Sequence, residues 1–441
     1  MKFAVVRSTV GSHFDPHPPA PFREEVTYTD DDGGQRPMTT VEPEARRALN
    51  RLNRARGEEL QKVLLDFMAS ASWDAVERRD EDATFNELAL RIFRYQVEAV
   101  PVYGAMVANR GLDPQEVDDW RRIPPVPARA FRRFPLVAGG GEESPAATFR
   151  TSGTTGGAEA RGLHRVLDLS LYHASLLPGA RRHLNPDQRT LRSILLTPPP
   201  QLRPDSSLIH MLGVLYREWD DGAGGFFADA EWRLDRSALL AALADAQASG
   251  APVFMAGTAF GYVHLLDLLE VEGLTFSLPA GSRLMETGGF KGRSREVARE
   301  TLYRKLRQAL GVPTSRIVNE YGMTEMLSQF WETSLAAPDS PGAEEPEERS
   351  LVGPPWVRTR ILDPRDLSEV EPGGVGLLQH LDLANLHSVS AILTEDRGVE
   401  VGGGRFRVLG RRPGAEPRGC SLSMEELDRA WSGPDAGVPV D

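Results

Sequence analysis

Apolar residues first settle into a helical rhythm at Glu58, where Leu60, Val63, Leu64 and Phe67 share one face. Leu88, Ile92, Tyr95, Val97 and Val100 continue it until Pro101 interrupts. One-sided helices of this kind predict a cover for a sheet. Upstream, His-Pro and Pro-Pro steps, the run Asp30-Asp31-Asp32-Gly33-Gly34 and the lack of apolar spacing predict that residues 1–57 form a poorly ordered extension. Pro124, Pro125 and Pro127 impose an extended path that leads to a strand-like run at Ala147, Thr148 and Phe149. Beyond it, short β-like runs at Ser193 to Leu196, Pro252 to Ala256, Arg283 to Glu286 and Arg316 to Asn319 alternate with helical stretches near Leu239, Val263 to Leu269 and Val297 to Leu310. That alternation predicts an α/β fold. Ala336 to Ser350, rich in Pro, Glu and Ala and without apolar spacing, predicts a mobile loop before a β-rich end at Val375 to His380, Ser390 to Leu393 and Arg405 to Leu409. No internal repeat is visible.

Composition narrows the classes. A chain of 441 residues with 40% hydrophobic content can bury a large core. Its formal net charge of −12 argues against a nucleic-acid backbone as partner, while leaving room for a small nucleotide. No stretch approaches the roughly 20 apolar residues of a membrane span, and the apolar run after Met1 is too short for a signal peptide, so a cytoplasmic location is expected. Cys420, the one cysteine, has no internal disulfide partner, and nine His without C-x-x-C spacing give no support to a structural zinc site. Lysine occurs only at Lys2, Lys62, Lys291 and Lys305.

Candidate chemistry concentrates in two segments. Thr151-Ser152-Gly153-Thr154-Thr155-Gly156 combines hydroxyl donors with glycines that let backbone N–H groups face an anion, the make-up of a phosphate-holding loop. It matches neither the P-loop nor the dinucleotide turn. Asn319-Glu320-Tyr321-Gly322-Met323-Thr324-Glu325 stands at the end of a strand-like run, where an open α/β sheet meets its ligands. Tyr321 offers a flat face for a base, Gly322 a turn, Thr324 a donor to phosphate and Glu325 oxygen for Mg2+. A helix N-terminus capped by Thr324, with Glu325 in its first turn, accounts for the same residues.

Together these segments resemble the phosphate loop and the Y-G-x-T-E motif of the adenylate-forming superfamily, which activates carboxylates as acyl adenylates with ATP and Mg2+. Within it the chain resembles the LuxE acyl-protein synthetases, the fatty-acid-activating component of bacterial luminescence fatty-acid reductase complexes. The narrower likeness is carried by Ser207-Leu208-Ile209-His210-Met211, Gly257-Thr258-Ala259-Phe260-Gly261, Thr287-Gly288-Gly289-Phe290-Lys291-Gly292-Arg293, Tyr321 through Gln329, and Arg418-Gly419-Cys420-Ser421-Leu422. The resemblance implies a large adenylate-forming domain over 58–410, with mixed sheets, covering helices and a β-rich end. It implies a truncated hinge and tail over 411–441 in place of the usual C-terminal lid domain.

By the same resemblance, Thr151, Ser152, Gly153, Thr154, Thr155 and Gly156 hold the ATP phosphates, Thr324 supports them, and Glu325 binds Mg2+. Tyr321, Gly322, Asp396 and Arg411 belong to the nucleotide site, with Asp396 on the ribose hydroxyls; an Asp in a hairpin turn before Arg397-Gly398 is the plain alternative. Cys420 takes the position of the acyl-accepting thiol, with Arg411, Arg412 and Arg418 near it in sequence to favour the thiolate; a small hydrophobe in a tail is its plain alternative. Where most of the superfamily continues the phosphate loop with Pro-Lys-Gly, this chain has Gly157-Ala158-Glu159-Ala160-Arg161-Gly162, so Arg161 must supply any positive charge there. Lys291 is the candidate to neutralise charge on the α-phosphate, against an ordinary exposed lysine. His210, Gly288 and Gly289 fall to the carboxylate substrate, with a packed helix histidine as the alternative for His210, and Phe254, Phe260 and Met285 are expected to shape its pocket. The implied partners are a fatty or other small carboxylic acid and an acyl-protein reductase. A coenzyme A ligase, with Cys420 a bystander, and a non-catalytic nucleotide-binding scaffold remain as other readings.

Overall fold

The computed structural model describes residues 3–4, 27–29, 35–37, 43–73, 78–141, 144–151, 161–288, 297–338, 342–411 and 424–429. Its helices are α1 (Pro43–Ser70), α2 (Arg78–Ala99), α3 (Pro101–Asn109), α4 (Ser170–Leu184), α5 (Ser207–Trp219), α6 (Arg236–Ser249), α7 (Ala259–Glu272) and α8 (Arg299–Leu310). The strands are β1 (Phe3–Ala4), β2 (Thr27–Thr29), β3 (Gln35–Pro37), β4 (Val126–Pro127), β5 (Ala147–Arg150), β6 (Leu163–Val166), β7 (Arg192–Leu195), β8 (Gly225–Phe226), β9 (Val253–Thr258), β10 (Arg283–Thr287) and β11 (Ile317–Tyr321). They continue with β12 (Phe330–Glu332), β13 (Leu351–Val352), β14 (Val357–Leu362), β15 (Val375–Asp382), β16 (Ala391–Gly402) and β17 (Arg405–Arg411).

The α/β alternation read from the sequence is present. A 12-stranded sheet runs β14-β15-β16-β17-β13-β12-β11-β10-β9-β7-β8, with β4 beside β16. Strands β8, β7, β9, β10 and β11 are parallel, and the β-rich end from β12 onward is antiparallel. Parallel strands buried on both faces carry apolar side chains without interruption, and their period of two divides those side chains between two cores. Ile194, Val253, Met255, Leu284 and Ile317 pack with α6, α7 and α8, whereas Leu195, Phe254, Ala256, Met285 and Val318 face the core built with α2, α4 and α5.

Two expectations change. The first helix starts at Pro43, not Glu58, so residues 43–57 are not a poorly ordered extension. That stretch docks through polar groups, Asn53 Nδ2 donating to the Glu98 carbonyl at 3.3 Å and Arg56 pairing with Glu98, which apolar spacing does not register. The segment expected as a mobile loop is pinned where it is described. Buried Arg349 donates to the carbonyls of Ile317 at 2.7 Å, Thr314 at 2.8 Å and Ala343 at 2.6 Å and pairs with Glu332 at 3.2 Å. One guanidinium, with five donors, thus replaces the apolar period as the anchor.

A second buried charge organises the region after β11. Asp382, at the end of β15, accepts from the N–H groups of Leu327 at 3.1 Å, Ser328 at 3.0 Å and Ala384 at 3.0 Å and from Ser328 Oγ at 2.7 Å. Replacing Asp382 by Asn turns two donors toward donors, and should lower stability by about 2–4 kcal/mol in urea unfolding; an unchanged midpoint would remove the brace from this account.

Acid should destabilise the fold as well. Burial holds four imidazoles neutral, His164, His210 and His387 lowered to about 4 and His380 to about 3. Unfolded histidine titrates near 6.5, so these groups stabilise the fold above that pH and lose the contribution as pH falls toward 4. Asp382 works in the opposite sense: burial raises it to about 6, so it holds a proton in the folded state that the unfolded chain releases. The net expectation is a urea midpoint that falls between about pH 6.5 and 4 with net uptake of protons on unfolding, and a midpoint that rises on acidification contradicts it.

Candidate active site

Parallel strands deliver their ligand-facing residues at their carboxyl ends, and here β9, β10 and β11 end on Thr258, Thr287 and Tyr321. A cleft of about 210 Å³ lies over these ends, lined among others by Thr151, Ser207, Thr258, Gly288, Gly322 and Thr324. The local sequence explains the shape. Ser206 and Thr258 cap α5 and α7, their hydroxyls accepting from the N–H groups of Ile209 at 3.3 Å and Gly261 at 3.1 Å. A Cβ on Gly257 would stand 2.9 Å from Leu196 Cβ, and Gly288 turns out of β10 at φ 71°, a left-handed conformation suited to glycine. Gly322 is needed for another reason, since a Cβ there would lie 2.3 Å from the Glu320 carboxylate that Thr287 Oγ1 contacts.

Thr324 and Glu325 occupy a turn that leads into no helix, which removes the N-cap reading. The turn is held from behind. Its Thr324 carbonyl accepts from His164 Nδ1 at 2.7 Å, its Glu325 carbonyl from Asn385 Nδ2 at 2.8 Å, and Asp382 grips the N–H groups of Leu327 and Ser328. Burial lowers His164 to about 4, so its imidazole is neutral and the Nδ1 proton remains for this bond. Thr324 Oγ1 is also 3.4 Å from Ser207 Oγ.

His164 belongs to β6, which pairs with β5 around the phosphate-loop candidate. Thr151 and Gly162 close the neck of that hairpin with two hydrogen bonds, Thr151 N–H to the Gly162 carbonyl at 2.9 Å and Gly162 N–H to Thr151 Oγ1 at 2.8 Å. Arg150 and Arg161 flank this neck, and both line the cleft together with Arg203. The positive charge expected of Arg161 alone is therefore shared by three arginines.

Beside the cleft, the Tyr321 hydroxyl donates to Asp396 Oδ2 at 2.9 Å and Arg411 Nε to Asp396 Oδ1 at 2.9 Å. Asp396 is inside β16 opposite Arg411 of β17, next to a register shift at Arg397 and Gly398, so it is no turn residue. Burial, reinforced by the Asp396 charge, pushes the Tyr321 hydroxyl well above its usual range and keeps it a donor. Phe330, His380 and Phe406 pack around the Tyr321 ring. Glu325 is near enough for its charge to act on the same hydroxyl.

Other expected residues go elsewhere. His210 does not line the cleft; its ring stacks on His173 with the two Nε2 atoms 3.1 Å apart, and burial, then the His173 charge, lowers it to about 4. Phe254 and Met285 are buried in the core, and of the three pocket residues expected from the sequence Phe260 alone lines the cleft. Ser152, Gly153, Thr154, Thr155, Gly156, Gly289, Lys291 and Cys420 lie outside the described residues. Reading the sequence missed His164, Asp382 and Asn385, isolated buried polar residues whose one signal is a charged or amide side chain inside an apolar run.

Comparison with known proteins agrees with this geometry. The profile of the family described as Acyl-protein synthetase, LuxE matches residues 58–427. A long-chain-fatty-acid–luciferin-component ligase of Vibrio harveyi is 24% identical over 208 residues, 45% of this chain and 52% of that protein. The protein of the same description from Aliivibrio fischeri is 33% identical over 82 residues, 17% of this chain and 22% of its own length. The match thus spans about half the length of one relative and less of the other. Among solved structures, 2-hydroxyisobutyryl-CoA ligase in complex with 2-HIB-AMP and CoA is similar with a TM-score of 0.55 at 14% identity, covering 76% of this chain and 68% of that one. The same ligase in its postadenylation state gives a TM-score of 0.54 at 15% identity, over 76% and 68% of the two chains. With the fold of adenylate-forming enzymes and a family match over most of its length, this chain belongs to the LuxE acyl-protein synthetase family.

Proposed function

We propose that this chain activates a carboxylic acid, of the fatty class that its relatives' names carry, with ATP and then takes the acyl group onto Cys420. The observation that carries the reading is the joining of the phosphate-loop hairpin to the Thr324 turn through His164, beside the Tyr321–Asp396–Arg411 group. In the first step a carboxylate oxygen attacks the α-phosphorus of ATP, the bond to the bridging oxygen breaks, and pyrophosphate leaves. In the second the Cys420 thiolate attacks the acyl carbonyl, a carbon–sulfur bond forms and AMP departs.

Asp396 would accept from the ribose hydroxyls, while the hydrogen bonds from Tyr321 and Arg411 hold its carboxylate in position. The N–H groups and hydroxyls from Thr151 to Gly156, with Thr324, would hold the phosphates. Lys291 would meet charge at the α-phosphate. Glu325 fits a Mg2+ carried by the nucleotide. Among the described residues no three metal-ligating side chains converge, which suits an ion that takes one carboxylate and completes its shell with phosphate and water. Bound there, Mg2+ would neutralise charge on the phosphate oxygens. Among the described residues no helix is long and apolar enough to cross a membrane, and one cysteine in 441 residues supports a reducing, cytoplasmic setting. The thioester would pass to an acyl-protein reductase.

Asp396→Ala should raise the KM for ATP about tenfold or more while leaving the KM for the acid near its original value, as read by pyrophosphate release; equal effects on both would detach Asp396 from the nucleotide. In Cys420→Ser, acid-dependent ATP–pyrophosphate exchange should persist while covalent labelling of the protein by radioactive acid disappears. Labelling that survives the change excludes Cys420 as acceptor, and acyl-CoA found by mass spectrometry in its place would favour a coenzyme A ligase.

A further inference from the structure

The parallel strands lay out the cleft in a fixed order. Behind it the strands follow the order β11, β10, β9, β7 and β8 from the nucleotide side, and four strand spacings of about 4.8 Å make that row about 19 Å long. Thr324 follows β11, Gly288 follows β10, Phe260 follows β9, and Trp232 follows β8, the strand at the far edge, all four lining the one cleft. The Tyr321–Asp396–Arg411 group is at the β11 end, so the β8 end is left to the part of the substrate remote from the nucleotide.

Trp232 is held there under strain. Its φ is 67°, a left-handed conformation that is a true outlier for a bulky side chain. Strain of this sort persists only where its surroundings impose it, and it clusters at ligand-facing positions. The surroundings here are one aspartate. Asp229 accepts from the N–H groups of Glu231 at 3.0 Å and Arg233 at 2.9 Å and from Arg233 Nε at 2.8 Å, while its own carbonyl takes the Trp232 N–H at 2.9 Å. The turn is rooted in the sheet, Phe227 N–H reaching the Leu195 carbonyl of β7 at 2.8 Å. A tight turn with an exposed tip normally takes glycine at such a position. This one spends the conformation on a tryptophan, and that tryptophan lines the cleft.

We propose that Trp232 is the end wall of the acyl site and sets the length of acid that the protein accepts. The inference rests on the adenylation reading above. Three strand spacings separate β10 from β8, a run of about 14 Å along the sheet for the tail between the activated carboxylate and the wall. That fits a linear acyl chain of medium length, shorter than the long-chain acids in the relatives' names.

Trp232→Gly removes the indole and supplies the residue that the backbone already suits, so folding should be retained and a urea midpoint checks it. Pyrophosphate release is measured with unbranched acids from butanoic to octadecanoic. Wild-type protein should prefer a medium-length acid. The variant should gain about tenfold or more in kcat/KM for the next longer acids, with the KM for ATP unmoved. Calorimetric binding of acyl sulfamoyladenosines of graded length should shift in the same direction without turnover. A variant with the wild-type length profile, or with equal loss at every length, overturns the wall while leaving adenylation standing. Wild-type protein that releases no pyrophosphate with any acid and binds no acyl sulfamoyladenosine overturns adenylation itself.

Discussion

The contact between His164 Nδ1 and the Thr324 carbonyl, across 160 residues of chain, is the interaction on which the rest of the site depends. It ties a two-stranded hairpin, which belongs to a sheet of its own, to the turn that ends the parallel half of the large sheet. It adds a directed polar contact to the apolar core that Phe149 and Val166 of the hairpin share with Val318 and Met326. The bond requires a neutral imidazole with its proton on Nδ1, and complete burial supplies that state. Buried polarity is costly unless paired, so the same desolvation that keeps His164 neutral penalises any arrangement in which Thr324 moves away from it.

Behind that turn the stabilisation is polar rather than apolar. Asp382, Asn385 and His164 take hold of main-chain groups from Thr324 to Ser328, leaving side chains such as Thr324 and Met326 to face the cleft. Arg349 does the same for the crossing from α8 to β13, joining the carbonyls of Thr314, Ile317 and Ala343. In both places buried polar side chains fix irregular backbone that no apolar period could order.

This is also why the sequence was legible in parts. The parallel strands announce themselves because burial on both faces demands continuous apolar runs, and the motif from Tyr321 to Glu325 because its residue types suit a strand end. The ribose-site assignment of Asp396 was carried by resemblance, and what the structure adds is its pairing with Tyr321 and Arg411. Which face of a strand meets the cleft was not legible: Phe254 and Met285 are apolar and near the motifs, yet a period of two sends them into the core, while Phe260, on the helix after β9, lines the cleft. The start of α1 at Pro43 was hidden because Asn53 and Arg56 dock it through polar contacts. His210 looked like a substrate residue from its neighbours in sequence, but helical geometry turns Leu208 and Met211 to the cleft and His210 to His173.

The arginines around the cleft have a chemical side effect. Arg150, Arg161 and Arg203 provide its positive charge, and the whole chain has four lysines. An ammonium that loses its proton becomes an amine nucleophile, whereas a guanidinium stays protonated. In a site proposed to hold an acyl adenylate, which acylates free amines, these three cations would not consume the intermediate. Lys291, proposed to meet the α-phosphate, would then be the amine with which acyl transfer to Cys420 has to compete.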